Sequence, residues 1–187
     1  MTAQKNRCPW APINSEIYLK YHDEEWGVPV FDDQKLFEML ILEGAQAGLS
    51  WNTILQKRDN YRKAYSNFDV WAVAEYDQHK IQQMLENKGI VRNRRKIESS
   101  IQNAKIFIEI QQQYGSFSNY LWKYVDFKPI TNHFDNMKLV PATTPLSKII
   151  STDLKKRGMN FVGPTIIYSF MQAVGIVNDH LTNCYRH

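Results

Sequence analysis

Two cysteines and two histidines lie near opposite ends of the chain: Cys8 and His22 at one, His180 and Cys184 at the other. Two sulfurs and two imidazoles suit a tetrahedral zinc ion, and four protein ligands would leave no open position for chemistry on the metal. His180 and Cys184 are four apart, so on a helix they would share a face. Such a site would staple the N-terminal segment to the C-terminal one. Spacing alone also allows two unrelated free thiols, each near a histidine by chance, because this is not a contiguous finger motif.

Three further groups could carry chemistry. Glu43 follows a nearly unbroken apolar run and shares a helical stripe with Leu36, Leu40 and Ala47. A carboxylate there is costly to bury without a donor or a cation, and the bland reading is a helix-end glutamate turned to solvent. Trp10, Tyr18, Tyr21, Trp26 and Trp51 offer flat, electron-rich faces on which a cationic nucleobase could stack; plain core packing is their commoner use. The segment Lys88-Gly89-Ile90-Val91-Arg92-Asn93-Arg94-Arg95-Lys96 holds five basic residues and no acidic one. Positive charge opposes the dipole at a helix start, so the cluster makes sense if a phosphate arrives there, held by backbone N–H groups of the turn and closed in by Lys and Arg.

The elements that must position these groups read as helices. Asp33 can cap a helix running through Leu42 into Gly44–Gly48, and Ser50 caps a second from Trp51 to about Tyr65. Asp69 and Asp77 look like caps of two shorter helices. The pattern breaks at Gly89 and restarts at Asn93, with Ile97, Ile101, Ala104 and Ile108 at helical spacing up to Gly115. A short helix follows Ser118, and 126–143, with Pro129 and Pro141, reads as a loop. Thr144-Pro145 opens a helix that stops near Gly158, and a last one begins near Pro164. No strand pattern of useful length appears, so the expected fold is all-α.

Composition sets the frame. The chain has 187 residues, 43% hydrophobic and 22% charged, which is ordinary for a globular protein and excludes wholesale disorder. The first fifty residues carry four Lys or Arg against eight Asp or Glu, whereas the remainder has a net charge of +8, which suits a polyanionic partner such as nucleic acid. Met1–Glu16 holds no apolar signal core, and the uncharged stretch from Gly158 to Asn178 contains Pro164 and several polar residues. The expectation is therefore a cytoplasmic protein with reduced thiols and no membrane association.

Four segments carry a resemblance: Tyr21–Pro29 (YHDEEWGVP), Leu42–Trp51 (LEGAQAGLSW), Leu154–Gly163 (LKKRGMNFVG) and Tyr168–Ala173 (YSFMQA). Together they resemble the constitutive bacterial 3-methyladenine DNA glycosylase I family, from Cys8 to Cys184. The resemblance implies a helix-hairpin-helix DNA glycosylase fold forming a single unit over 1–187, either undivided or as two helical lobes around a base pocket, with the hairpin element near 78–113. It implies monofunctional excision of N3-methyladenine from double-stranded alkylated DNA, releasing the free base and leaving an abasic site, by a monomer. It implies a structural zinc on Cys8, His22, His180 and Cys184. The base-binding residues fall on Trp10, Tyr18, Tyr21, Glu43 and Trp51, with Glu43 and Tyr21 as candidates for the catalytic step. DNA contacts fall on Lys88 to Arg92 and Arg94 to Lys96, with Leu49 a candidate for filling the gap in the base stack.

Many members of the superfamily carry a catalytic Asp on the helix after the hairpin, whereas Asn93–Tyr114 holds only Glu98 and Glu109. That absence keeps one rival open, a zinc-stapled protein that binds damaged DNA without cutting it. A zinc hydrolase of small nucleobase compounds is a second rival and would need a vacant coordination position.

Overall fold

The computed structural model describes residues 5–187; residues 1–4, which begin both the expected 1–187 unit and the stretch read for a signal, lie outside it. The fold is mostly helical, as expected. Its helices are α1 (Glu16–Glu24), α2 (Asp33–Gln46), α3 (Trp51–Ala64), α4 (Val70–Ala74), α5 (Gln78–Glu86), α6 (Arg94–Tyr114), α7 (Phe117–Trp122), α8 (Pro145–Lys156) and α9 (Pro164–Ala173). Two two-residue strands, β1 (Ile130–Thr131) and β2 (Val177–Asn178), pair in parallel. They are too short to leave an alternating signature in sequence.

The caps explain most boundaries. Ser50, Asp69, Asp77 and Asn93 each accept a hydrogen bond from the first turn of the helix they precede. Thr144 and Ser147 form a reciprocal capping box ahead of Pro145. Two expectations shift. Asp32 rather than Asp33 caps α2. Asp33 instead accepts from the backbone N–H groups of Phe117 and Ser118, each at 2.8 Å, and so anchors α7, whose cap is Ser116 rather than Ser118.

α2 is the axis of the molecule. Leu36 to Ala45 are all buried, and α2 packs against α3, α6, α7 and α9. Around it, Phe107 stacks on Phe117 at 4.0 Å, and Trp122 is fully buried with its indole N–H on the Val30 carbonyl at 2.8 Å. α1 is tied to α2 and α3 by charge. Arg58 grips both oxygens of Glu25 at 2.9 and 2.8 Å and reaches Glu38 at 2.6 Å. Burial works against the Glu25 charge, yet Arg58 and Lys35 hold its carboxyl down to about 2.

The two ends of the chain meet. Gly27 and Val30 donate backbone hydrogen bonds to the carbonyls of Gln172 and Val174. Gly175 has φ +70°, and a Cβ there would lie 2.3 Å from the Val28 carbonyl carbon, so only glycine permits this crossing. Among the described residues no helix is long and apolar enough to cross a membrane.

Candidate active site and metal cluster

A cavity of about 310 Å³ opens between α1, α2, α3, α9 and the 137–142 segment. All five residues expected to bind a base line it: Trp10, Tyr18, Tyr21, Glu43 and Trp51. Trp10 stands with its ring centroid 5.8 Å from Tyr18 and 4.8 Å from Trp26, and Tyr21 lies 5.3 Å from Trp51. Tyr18 and Tyr21 face one cavity because three residues on α1 bring them round to the same side. α1 itself was not legible in sequence: Ser15 makes no side-chain cap, and only Tyr21 and His22 of its residues are buried.

Glu43 is the polar centre of this cavity. It is only 4% exposed, and its Oε2 has no hydrogen-bond partner in the protein. Burial alone pushes its carboxyl up to about 8. The Trp51 indole N–H is also buried and unpartnered. Burial, and then the nearby Glu43, raise the Tyr18 and Tyr21 phenols, so both stay protonated. An unmet acceptor and an unmet donor inside an aromatic cleft leave hydrogen-bonding capacity that a polar ligand can satisfy, each such group costing about 1–3 kcal/mol when left unpaired.

The segment 126–143, unassigned in sequence, supplies the far wall: Met137, Val140, Pro141 and Ala142 line the cavity. α9 adds Thr165, Tyr168, Ser169 and Gln172, which share one helix face by their spacing. None of the described residues lining the cavity is a lysine.

The four expected metal ligands are all buried, and their donor atoms lie within 4.8 Å of one another. Cys184 Sγ stands 3.5 Å from His22 Nε2 and 3.6 Å from His180 Nδ1, and Cys8 Sγ is 3.6 Å from His180 Nδ1. Zinc–sulfur and zinc–nitrogen bonds of ordinary length at tetrahedral angles put neighbouring S and N about 3.5 Å apart. The outer shell agrees. His22 Nδ1–H donates to Asp23 at 2.9 Å and His180 Nε2–H to the Trp26 carbonyl at 3.0 Å, so each ring turns its lone pair inward. Arg7 holds Asp23 in a two-pronged pair at 2.8 and 2.7 Å, and backbone N–H groups of Leu181 and Arg186 point at the two sulfurs. The donor set therefore fits a divalent cation. His180 and Cys184 do not share a helix, contrary to the spacing argument; a turn after β2 brings them together, with Cys184 N–H on the Leu181 carbonyl at 2.7 Å.

The cluster and the cavity share a wall. Tyr21 faces the cavity and its neighbour His22 the cluster, while the Trp26 ring packs edge-on to His180 at 4.6 Å. The cluster residues do not line the cavity.

The basic hairpin between α5 and α6 departs from expectation in detail. Lys88, Arg92, Arg94 and Arg95 are exposed, with Arg94 loosely paired to Glu98 at 3.3 Å. Lys96 is turned inward, its Nζ on the carbonyls of Ala45 and Ala47 at 2.8 and 2.6 Å, where it caps the end of α2. The side chain of Ile90 is buried. The N–H groups of Gly89, Ile90 and Val91 are spent on Asn87 Oδ1, the Asn87 carbonyl and the Tyr61 hydroxyl. They are therefore not free to cradle a phosphate.

A second helical hairpin, α8–α9, borders the cavity more closely. Its turn carries positive φ at Gly158 and Phe161, and Asn103 clamps Asn160 through both its N–H and its carbonyl at 2.9 Å. α9 starts at Gly163-Pro164 with no side-chain cap. That open N-terminus shares a small cavity with Gly48, Leu49 and Glu43. Leu49 is 41% exposed beside it, and Arg95 shares a groove with Asn160 and Phe161. In sequence, Gly158 and Pro164 signal a helix stop and a helix start, and Leu154–Gly163 is one of the segments that carry the resemblance, but nothing in that pattern marks the turn as a neighbour of the cavity.

Fold and site together define a helical protein whose two chain ends meet at a Cys/His cluster, beside an aromatic cavity that holds a buried carboxyl. Residues 10–187 match the model of the methyladenine glycosylase family, and the chain belongs to that family. It is 46% identical over 178 residues to a DNA-3-methyladenine glycosylase of Haemophilus influenzae, covering 95% of this chain and 96% of that protein. A solved 3-methyladenine DNA glycosylase I superposes with a TM-score of 0.94 at 46% identity, covering 97% of this chain and all of that one. The 3-methyladenine DNA glycosylase I of Staphylococcus aureus, solved to explain 3-methyladenine recognition, superposes with a TM-score of 0.93 at 36% identity, covering 97% and 96%.

Proposed function

We propose that this protein is a monofunctional DNA glycosylase that flips N3-methyladenine out of alkylated double-stranded DNA and hydrolyses its N-glycosidic bond. The observation that carries the reading is Glu43, a buried carboxyl with an unpartnered oxygen at the floor of an aromatic cleft. A protein that only held the DNA backbone would have no use for it, which disfavours the non-catalytic alternative.

Methylation at N3 places a positive charge on the adenine, so the base leaves as a neutral molecule and its bond to the sugar is already weak. The protein therefore needs little acid catalysis. The flipped base enters the cleft formed by Trp10, Tyr18, Tyr21 and Trp51, whose electron-rich faces attract a cation. Its charge draws the Glu43 carboxyl into the ionised form, and the carboxylate accepts from the adenine amine. As the bond from sugar to base breaks, positive charge moves onto the sugar; water adds there and gives up a proton. Tyr21, held beside Glu43, orients the base in this step. With no lysine among the described residues that line the cavity, the reaction ends at an abasic site.

Zinc on Cys8, His22, His180 and Cys184 would hold the two ends of the chain together behind the aromatic wall. Four protein ligands outside the cavity give it no part in the reaction, which disfavours the zinc-hydrolase rival. Arg92, Arg94, Arg95 and Lys88 give a basic flank to the duplex, the α8–α9 turn meets the backbone beside the flipped nucleotide, and Leu49 fills the gap in the stack. Gly89, Ile90 and Val91 shape that flank, and Lys96 supports it from within. The helices around α2 form one unit. Such a protein works as a monomer in the cytoplasm, where DNA is met and thiols stay reduced.

Titrating free 3-methyladenine against tryptophan fluorescence tests the pocket. Saturable quenching by 3-methyladenine, lost in Glu43→Gln, is expected. No response in a folded, metal-loaded sample would remove the base from this cleft.

A further inference from the structure

The α9 side of the pocket rests on a second buried carboxylate that the chemistry above leaves unused. Asp179 is fully buried, and three donors converge on it. They are Asn132 Nδ2 at 2.6 Å, the Tyr168 hydroxyl at 2.5 Å and Gln172 Nε2 at 2.7 Å. Tyr168 and Gln172 line the cavity; Asp179 does not. Asn132 arrives from the segment whose later residues form the opposite wall, delivered by the pairing of β1 with β2. Asp179 thus joins both walls from behind.

A carboxylate only accepts hydrogen bonds, so Gln172 must turn its NH₂ toward Asp179. The amide oxygen is then turned away from Asp179, with the second N–H of the NH₂ beside it. Without Asp179 the two ends of the carboxamide would be interchangeable, and the pocket would offer a donor as readily as an acceptor. Tyr168 is fixed in the same way: its hydroxyl proton is committed to Asp179, and it presents its ring.

We propose that Asp179 is a positioning residue that locks the Gln172 carboxamide with its oxygen toward the bound base, so that the pocket accepts an exocyclic amine and rejects a ring carbonyl. Adenine carries an amine at C6 and guanine a carbonyl oxygen. A fixed acceptor opposite that carbonyl leaves two buried lone pairs facing each other, which costs more than merely missing a hydrogen bond. The proposal rests on the glycosylase reading of the pocket and adds to the Glu43 carboxylate a second fixed acceptor, which sharpens the distinction between an adenine and a guanine bearing the same methyl group.

The test compares binding of free 3-methyladenine and 3-methylguanine to wild type, Asp179→Ala, Gln172→Met and the double variant, with metal content and melting recorded for each. The wild type should prefer 3-methyladenine. Each single variant should weaken 3-methyladenine about tenfold and narrow the preference, and the double variant should be no worse than Gln172→Met alone, because Asp179 acts through Gln172. Gln172→Met with wild-type affinity and preference would overturn the proposal. So would an Asp179→Ala effect that persists in full when Gln172 is already gone, as a merely structural role would give. If Asp179→Ala does not fold, labelled wild type still decides: a strong nuclear Overhauser contact between the Gln172 NH₂ protons and the bound base would overturn the proposal, and its absence supports it. A wild type that binds neither base would instead remove the glycosylase reading, and this proposal with it.

Discussion

Glu43→Gln should make the free protein more resistant to denaturation at neutral and alkaline pH while it impairs the reaction. In the folded protein burial holds the Glu43 carboxyl up to about 8, against an ordinary value of 4.5. A raised carboxyl favours folding in its protonated form. The favourable balance is complete below pH 4.5, declines as pH rises above it, and is gone once the pH exceeds the folded value. Each pH unit well inside that window costs about 1.4 kcal/mol and the ends of the window less, so between pH 5 and pH 8 the wild type should lose about 3–4 kcal/mol relative to the glutamine variant. Glutamine keeps the shape and removes the ionisation. Urea melts of both metal-loaded proteins at several pH values measure the difference directly. Parallel stability curves across that range would refute the reasoning, because they would mean that Glu43 is solvated or paired in the folded state.

Other outcomes follow from the same geometry. Cys184→Ser, or removal of metal by a chelator, should lower the melting temperature by about 10 °C, the effect of losing a link of about 3 kcal/mol between distant chain segments; loss of catalysis with unchanged melting would contradict a purely structural metal. Trp51→Phe keeps one aromatic face but deletes the unpartnered N–H with the five-membered ring, so affinity for 3-methyladenine should fall about fivefold and stability by about 1 kcal/mol for the space left in the core. Unchanged base affinity would separate that N–H from recognition. Neutralising Arg94 and Arg95 together should weaken DNA binding across sequences and reduce the slope of log K against log salt by up to about 2. Lys96→Met should instead cost about 1 kcal/mol of stability through the α2 carbonyls it caps, with little change in that slope.

Local chemistry made much of this molecule readable. Asp77, Asn93 and Thr144-Pro145 announce helices because a cap is a contact within four residues, and Glu43 stands out because a carboxyl at the end of an apolar run needs a reason. The four members of the Cys/His cluster were legible by type, although not by the helix that the spacing of His180 and Cys184 suggested. What stayed hidden depends on contacts between distant segments. α1 is held by the Arg58 ion pairs at its C-terminal end and by His22 packed in the Cys/His cluster rather than by its own periodicity. Lys96 reads as one more charge in a basic run until α2 ends beneath it, and the hairpin N–H groups read as free until Asn87 and Tyr61 take them. The 126–143 segment looks structureless in sequence, yet β1 pairs with a strand near the other end of the chain and sets a wall of the pocket.

The central claim is tested most directly by chromatography of the bases set free when the metal-loaded protein acts on DNA treated with a methylating agent. Wild type should release 3-methyladenine well above spontaneous loss and leave 7-methylguanine in place, with Glu43→Gln markedly slower. No release beyond the spontaneous rate from a folded wild-type sample would contradict base excision at this site, and the damage-binding alternative would take its place.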